Sequence, residues 1–171
     1  MDPGALITRV IHILFGVYWA GTLLFFVTFL EPAVRAAGPD GAKVMQGLMR
    51  RRYLDVMPIV ALFTILTGLD LYRRVSAGFN TAWIMSRPGL SITIGAVAAI
   101  IAFAIGVFVM RPAARRAGAI MQRAQQLPEG AERDAGLAEV GRLRARGAAA
   151  ARWVAGLLAV AVVGMAAARY L

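Results

Sequence analysis

Residues 10–30 run twenty-one positions without a charge other than what His12 can carry. At about 1.5 Å of rise per residue, a helix of that length reaches roughly 32 Å, the thickness of a bilayer's hydrocarbon core. Three more runs follow. Residues 56–72 are broken by Asp70, residues 88–110 are uncharged, and residues 153–168 are uncharged with an alanine-rich lead-in from Gly147 past Arg152. A soluble domain of 171 residues would not place 60% hydrophobic side chains, at a mean hydropathy of +0.68, largely on its surface. The expected fold is all-α: a polytopic membrane protein forming a four-transmembrane-helix bundle. It is one domain over residues 1–171, with spans at about 5–30, 55–74, 88–111 and 150–170 and a helical hairpin at about 111–150. Only Asp2 and Arg9 precede the first run, and no small-residue cleavage site follows at the right distance, so the first span is expected to be retained. The absence of cysteine removes disulfides, iron–sulfur clusters, thiolate zinc sites and cysteine nucleophiles together.

The net charge of +10 raises the question of nucleic acid, and the positions answer it. Arg35, Lys43, Arg50, Arg51 and Arg52 lie in the first loop. Arg111, Arg115, Arg116, Arg123, Arg133, Arg142, Arg144, Arg146 and Arg152 lie in the third. Fourteen of the 19 basic residues thus fall on one side. The positive-inside rule puts those loops in the cytoplasm and both termini outside. The charge reads as topology and contact with a lipid bilayer that includes anionic lipids, rather than nucleic-acid binding, because no aromatic residues interleave the arginines for base stacking.

The first loop is expected to be partly helical from Asp40 to about Tyr53, with Pro39 and Asp40 as its start signal. In the third, residues 111–127 can continue the third helix, "LPEG" reads as a turn, and residues 131–153 run into the fourth without a breaker. A cytoplasmic antiparallel helical hairpin between helices 3 and 4 is expected, with Ile120, Leu127, Leu137, Val140 and Leu143 as its seam. Small residues on the first (Gly16, Ala20, Gly21), third (Gly95, Ala99, Gly106) and fourth (Gly156, Ala159, Gly164) runs allow close helix approach and self-association as a homodimer. No internal repeat is evident, which argues against an inverted-repeat transporter.

Polar groups inside a membrane helix are costly, so each is a functional hypothesis. His12 lies in the outer third of the first run, with Arg9, Gly16, Trp19 and Leu23 on its face. Asp70 ends the second run, Arg169 and Tyr170 end the fourth, and Met165 lies at about the depth of His12. One reading is a site near the outer face. There His12 ligates copper or a haem b iron, Met165 supplies a second axial ligand, and Arg9 and Arg169 meet propionates. The other is structural: Asp70 is neutralised by Arg9 or Arg169 in preference to Arg73 or Arg74, and His12 is a hydrogen-bonded packing residue. No catalytic residues are assigned, because no Ser/His/Asp constellation, phosphate-cradling loop or Glu-x-x-His motif occurs. Glu31 can pair with Arg35 where Pro32 ends the first helix. Tyr72, Trp83 and Trp153 read as an aromatic belt.

The order His12, Trp19, Gly21, Leu23, Phe25 and Pro32 resembles small bacterial four-helix membrane proteins of the copper-resistance D (CopD-like) type. It is more distantly similar to the HemJ type of protoporphyrinogen oxidase. The likeness covers the first helix and, loosely, "TGLDLY" in the second. It implies a bacterial cytoplasmic membrane location and a cofactor role for His12. The further histidines or lysine that those families carry on other helices have no counterpart here, since His12 is the only histidine and Lys43 sits in a loop. Two function classes stay open: a non-catalytic accessory or structural subunit of a larger membrane complex (respiratory, photosynthetic or similar), working beside other membrane subunits, and a haem- or copper-binding membrane protein.

Overall fold

The computed structural model describes residues 2–171, with the backbone alone for Pro39. The described residues form α1 (Pro3–Ala36), α2 (Gly38–Arg50), α3 (Tyr53–Val75), the single turn α4 (Thr81–Ile84), α5 (Arg87–Ala124) and α6 (Ala131–Tyr170). Four of these, α1, α3, α5 and α6, are long and apolar enough to cross a membrane. Their starts follow from side chains. Asp2 accepts from the Gly4 N–H at 2.9 Å with Pro3 in the first turn of α1, and Ser86 accepts from the Gly89 N–H at 3.2 Å to begin α5. A β-carbon on Gly89 would lie 2.0 Å from the Trp83 carbonyl oxygen, so the approach of α4 to α5 needs glycine there.

Pro32 does not end the first helix, contrary to expectation. A helical proline lacks the N–H for its turn and presses on the carbonyl four residues back. The helix absorbs this by widening into a π turn at Phe26–Leu30, where the Glu31 N–H bonds to the Phe26 oxygen, before α-geometry resumes through Pro32 to Ala36. α5 repeats the device. A π turn at Gly106–Met110, closed by the Arg111 N–H on the Gly106 oxygen, precedes Pro112. The expected helix in the first loop is present as α2. Arg52, at φ 59°, makes the reversal into α3.

α1 packs along α3 and α5 along α6, while α1 also meets α6 and α3 meets α5. The core lies between the hairpins: Trp19 and Leu23 from α1, Met57 and Ala61 from α3, Ala98 and Ala102 from α5, Val154 and Leu158 from α6. Outward faces stay apolar, with Leu14, Val17, Phe29, Ile94, Phe108 and Val163 all exposed. An apolar band of this extent on a bundle four helices wide is the pattern of a multi-pass membrane protein.

The two hairpins also share one short segment. Residues 27–38 and 107–118 share Val, Pro-Ala, Arg and Ala-Gly at equal spacing, each set running through a π turn. Buried residues recur at i, i+1, i+4 on α1 (Trp19, Ala20, Leu23) and on α5 (Ala98, Ala99, Ala102). On α3 (Met57, Ala61, Thr64) and α6 (Val154, Leu158, Ala161) they recur at i, i+4, i+7.

Beyond the core, the ends of α5 and α6 pack on one another. Ala113, Ala117, Ala124 and Val140 are buried, and Ile120, Leu127 and Leu143 are half-buried. Leu137 is 39% exposed and leaves the expected seam. Gly136 takes the inward place, its β-carbon position 3.6 Å from Ala124 and Ile120, so the next residue is rotated away from α5.

Candidate functional site at His12

His12 is half-buried on the α3-facing side of α1. Its Nδ1 lies 2.9 Å from the Thr64 carbonyl oxygen and 3.4 Å from the Thr67 hydroxyl. A carbonyl only accepts, so Nδ1 carries the proton and donates, and the Nε2 lone pair is left over. The Thr67 hydroxyl donates to the Phe63 and Thr64 carbonyls at 2.6 and 3.1 Å. The ring rests on Gly68, where a β-carbon would come 2.8 Å from His12 Cε1. Thr64, Thr67 and Gly68 form one face of α3, and the sequence reading missed them. Their signal was available: the two threonines are the only polar side chains in α3 between Asp55 and Asp70, and with Gly68 they follow i, i+3, i+4 spacing.

None of the other expected site residues is hydrogen-bonded to His12. Met165 packs on the second hairpin, its Cγ 3.5 Å from the β-carbon position of Gly95 on α5. Arg9 and Arg169 make no ion pair with any described residue. The expectation that one of them neutralises Asp70 is corrected: Arg74 Nε donates to Asp70 at 2.7 Å, and Arg73 lies 3.7 Å away. Arg74 also donates from Nη1 to Asp2 at 2.7 Å. A partner one turn away on the same helix needs less ordering than one on another helix, and an arginine in the last turn is favoured by the helix dipole. Asp2 is held below the ordinary carboxylate value, first by the Gly4 N–H and then by the Arg74 guanidinium. Glu31 and Arg35 pair as expected.

Near the same end, the Tyr72 hydroxyl lies 2.7 Å from Thr93 Oγ1, and Tyr72 packs edge-on against Trp83 and tilted against Phe79. Trp153 stands 73% exposed at the other end of the bundle. Aromatics therefore sit towards both ends of the apolar region.

Chemically, His12 offers one imidazole lone pair fixed by a hydrogen bond on its other nitrogen, the arrangement that orients metal-ligating histidines. Among the described residues no three His, Cys, Asp or Glu side chains gather to complete a metal site. No family model, no curated protein and no solved structure matches the chain.

Proposed function

We propose that the protein is a non-catalytic accessory subunit of a larger complex in the bacterial cytoplasmic membrane, with both termini outside and the α5–α6 hairpin in the cytoplasm. The observation that carries this reading is the use of His12. The one imidazole in the chain ties α1 to α3 through the Thr64 carbonyl and fills the notch at Gly68. A polar side chain bonded in this way joins helices where lipid gives no hydrophobic drive. The orientation rests on the fourteen basic residues at one end of the bundle. An alkaline phosphatase fused to the C-terminus is expected to be active and a fluorescent protein there dark; the reverse pair would invert the topology.

His12→Gln tests the role of the histidine. A glutamine amide can remake a hydrogen bond to the Thr64 carbonyl but supplies no imidazole lone pair. The variant is expected to express and unfold like wild type. A loss of folded protein with haem or copper supplied, and not without, would contradict the reading. One observation favours the second reading, a CopD-like or HemJ-like haem- or copper-binding protein: Nε2 has no bonded partner among the described residues. On that reading the second ligand is Met165 or comes from another copy or another subunit.

A further inference from the structure

At the basic end, opposite His12, the hairpins part between α3 and α5. The link there is ionic: Arg111 and Arg115 donate to the same Asp55 oxygen at 2.9 and 2.7 Å. Behind it lies a crevice of about 60 Å³ walled by Trp19, Met57, Ala61, Phe103 and Gly106, with Arg111 at its mouth. A β-carbon on Gly106 would meet nothing within 4 Å, so there is open space on that side of the crevice.

Two features point to what belongs there. Arg111 Nε is buried and has no acceptor among the described residues. One carboxylate shared by two guanidiniums leaves this cluster a net positive charge, so the missing acceptor is best supplied by an anionic oxygen. Arg50, Arg51 and Arg52 immediately precede Tyr53, another wall residue, and none of the three has a carboxylate partner among the described residues. The walls themselves are apolar. We propose that this crevice is an anionic-phospholipid site: a phosphate oxygen accepts from Arg111 Nε–H, and the upper part of one acyl chain enters between α3 and α5. A crevice of this size admits only the first few methylene groups of a chain. The rest of the chain lies in the bilayer.

Trp19 reports on the site from inside, being a wall residue only 4% exposed. The full chain carrying Trp83→Phe and Trp153→Phe is reconstituted in phosphatidylcholine vesicles. Chain-brominated phosphatidylglycerol or chain-brominated phosphatidylcholine is then titrated in while Trp19 fluorescence is read. The phosphatidylglycerol should quench at about a tenfold lower mole fraction, because both lipids offer the phosphate but the choline cation of phosphatidylcholine is repelled by the arginines around the crevice. Gly106→Leu should fill the crevice and weaken quenching by both lipids. Arg111→Gln, in which Arg115 keeps Asp55, should leave the crevice open and bring the two lipids to parity. Equal quenching by the two lipids in the parent protein would overturn the proposal, as would a preference that survives both substitutions. Loss of the preference on adding inorganic phosphate at constant ionic strength would assign the Arg111 position to a soluble anion and overturn the lipid assignment.

Discussion

The two hairpins solve one packing problem in two ways. In α5–α6, backbone meets backbone: a β-carbon on Gly164 would lie 2.8 Å from the Ser91 carbonyl oxygen, and one on Gly95 would lie 3.1 Å from that of Ala161. The Ser91 hydroxyl then donates to the Gly164 carbonyl at 2.7 Å. In α1–α3 the notch at Gly68 receives a side chain, the His12 ring, whose hydrogen bond also goes to a helix carbonyl. Both hairpins use glycine to bring helices together and a side-chain donor to hold them. A serine does this with one small hydroxyl, whereas a histidine brings a bulky ring with a second nitrogen. The first hairpin is thus the more adaptable half, because what fills its notch can be changed without moving a backbone.

The largest effect is therefore expected in the second hairpin. Gly164→Leu forces a side chain into the backbone of α5 and should cost about 3 kcal/mol, at the upper end of overpacking penalties. The unfolding equilibrium in detergent would read this as a loss of most folded protein. Ser91→Ala should not restore it, since the obstructing atom is a main-chain oxygen. Next comes Gly68→Ala, expected to cost about 1–2 kcal/mol and to be largely relieved when combined with His12→Ala, because the obstructing atom is then removed. A double-mutant cycle measures the coupling. If Gly68→Ala and His12→Ala simply add, the ring does not occupy the notch and the contrast between the hairpins fails.

Much of this architecture can be read in the sequence, for particular reasons. The four spans, the helix in the first loop and the turn before Ala131 follow from long uncharged runs and from local start and stop residues. Pro32 misled, because a proline marks the end of a soluble helix, whereas here a π turn carries the helix through it, as another does before Pro112, where continuation was expected. Of the candidate site, His12 stood out as the only histidine, but its seat on Thr64 and Gly68 depends on which face α3 turns, which residue spacing in α1 does not state. Arg74 was set aside as solvent-seeking, yet it bridges Asp70 and Asp2 within reach of its own helix end.

That bridge gives the smallest expected effect. The carboxyl of Asp2 is depressed below its ordinary 3.8 by the Gly4 N–H and Arg74. A depressed folded-state value means stabilisation that is present above the ordinary value and lost as pH falls through the depressed one. Asp2→Asn should therefore lower thermal stability slightly at pH about 6, with the difference shrinking as pH falls below the ordinary carboxylate value. A difference that grows towards low pH would show that Asp2 is not held by Arg74.

The role of His12 is tested most directly by the absorption spectrum and metal content of the full chain, purified from cells supplied with a haem precursor and copper. A histidine that serves to seat α1 on α3 gives a colourless protein with no stoichiometric copper, indistinguishable from His12→Gln. A Soret band or bound copper that disappears in His12→Gln would contradict it and make the first hairpin a cofactor site.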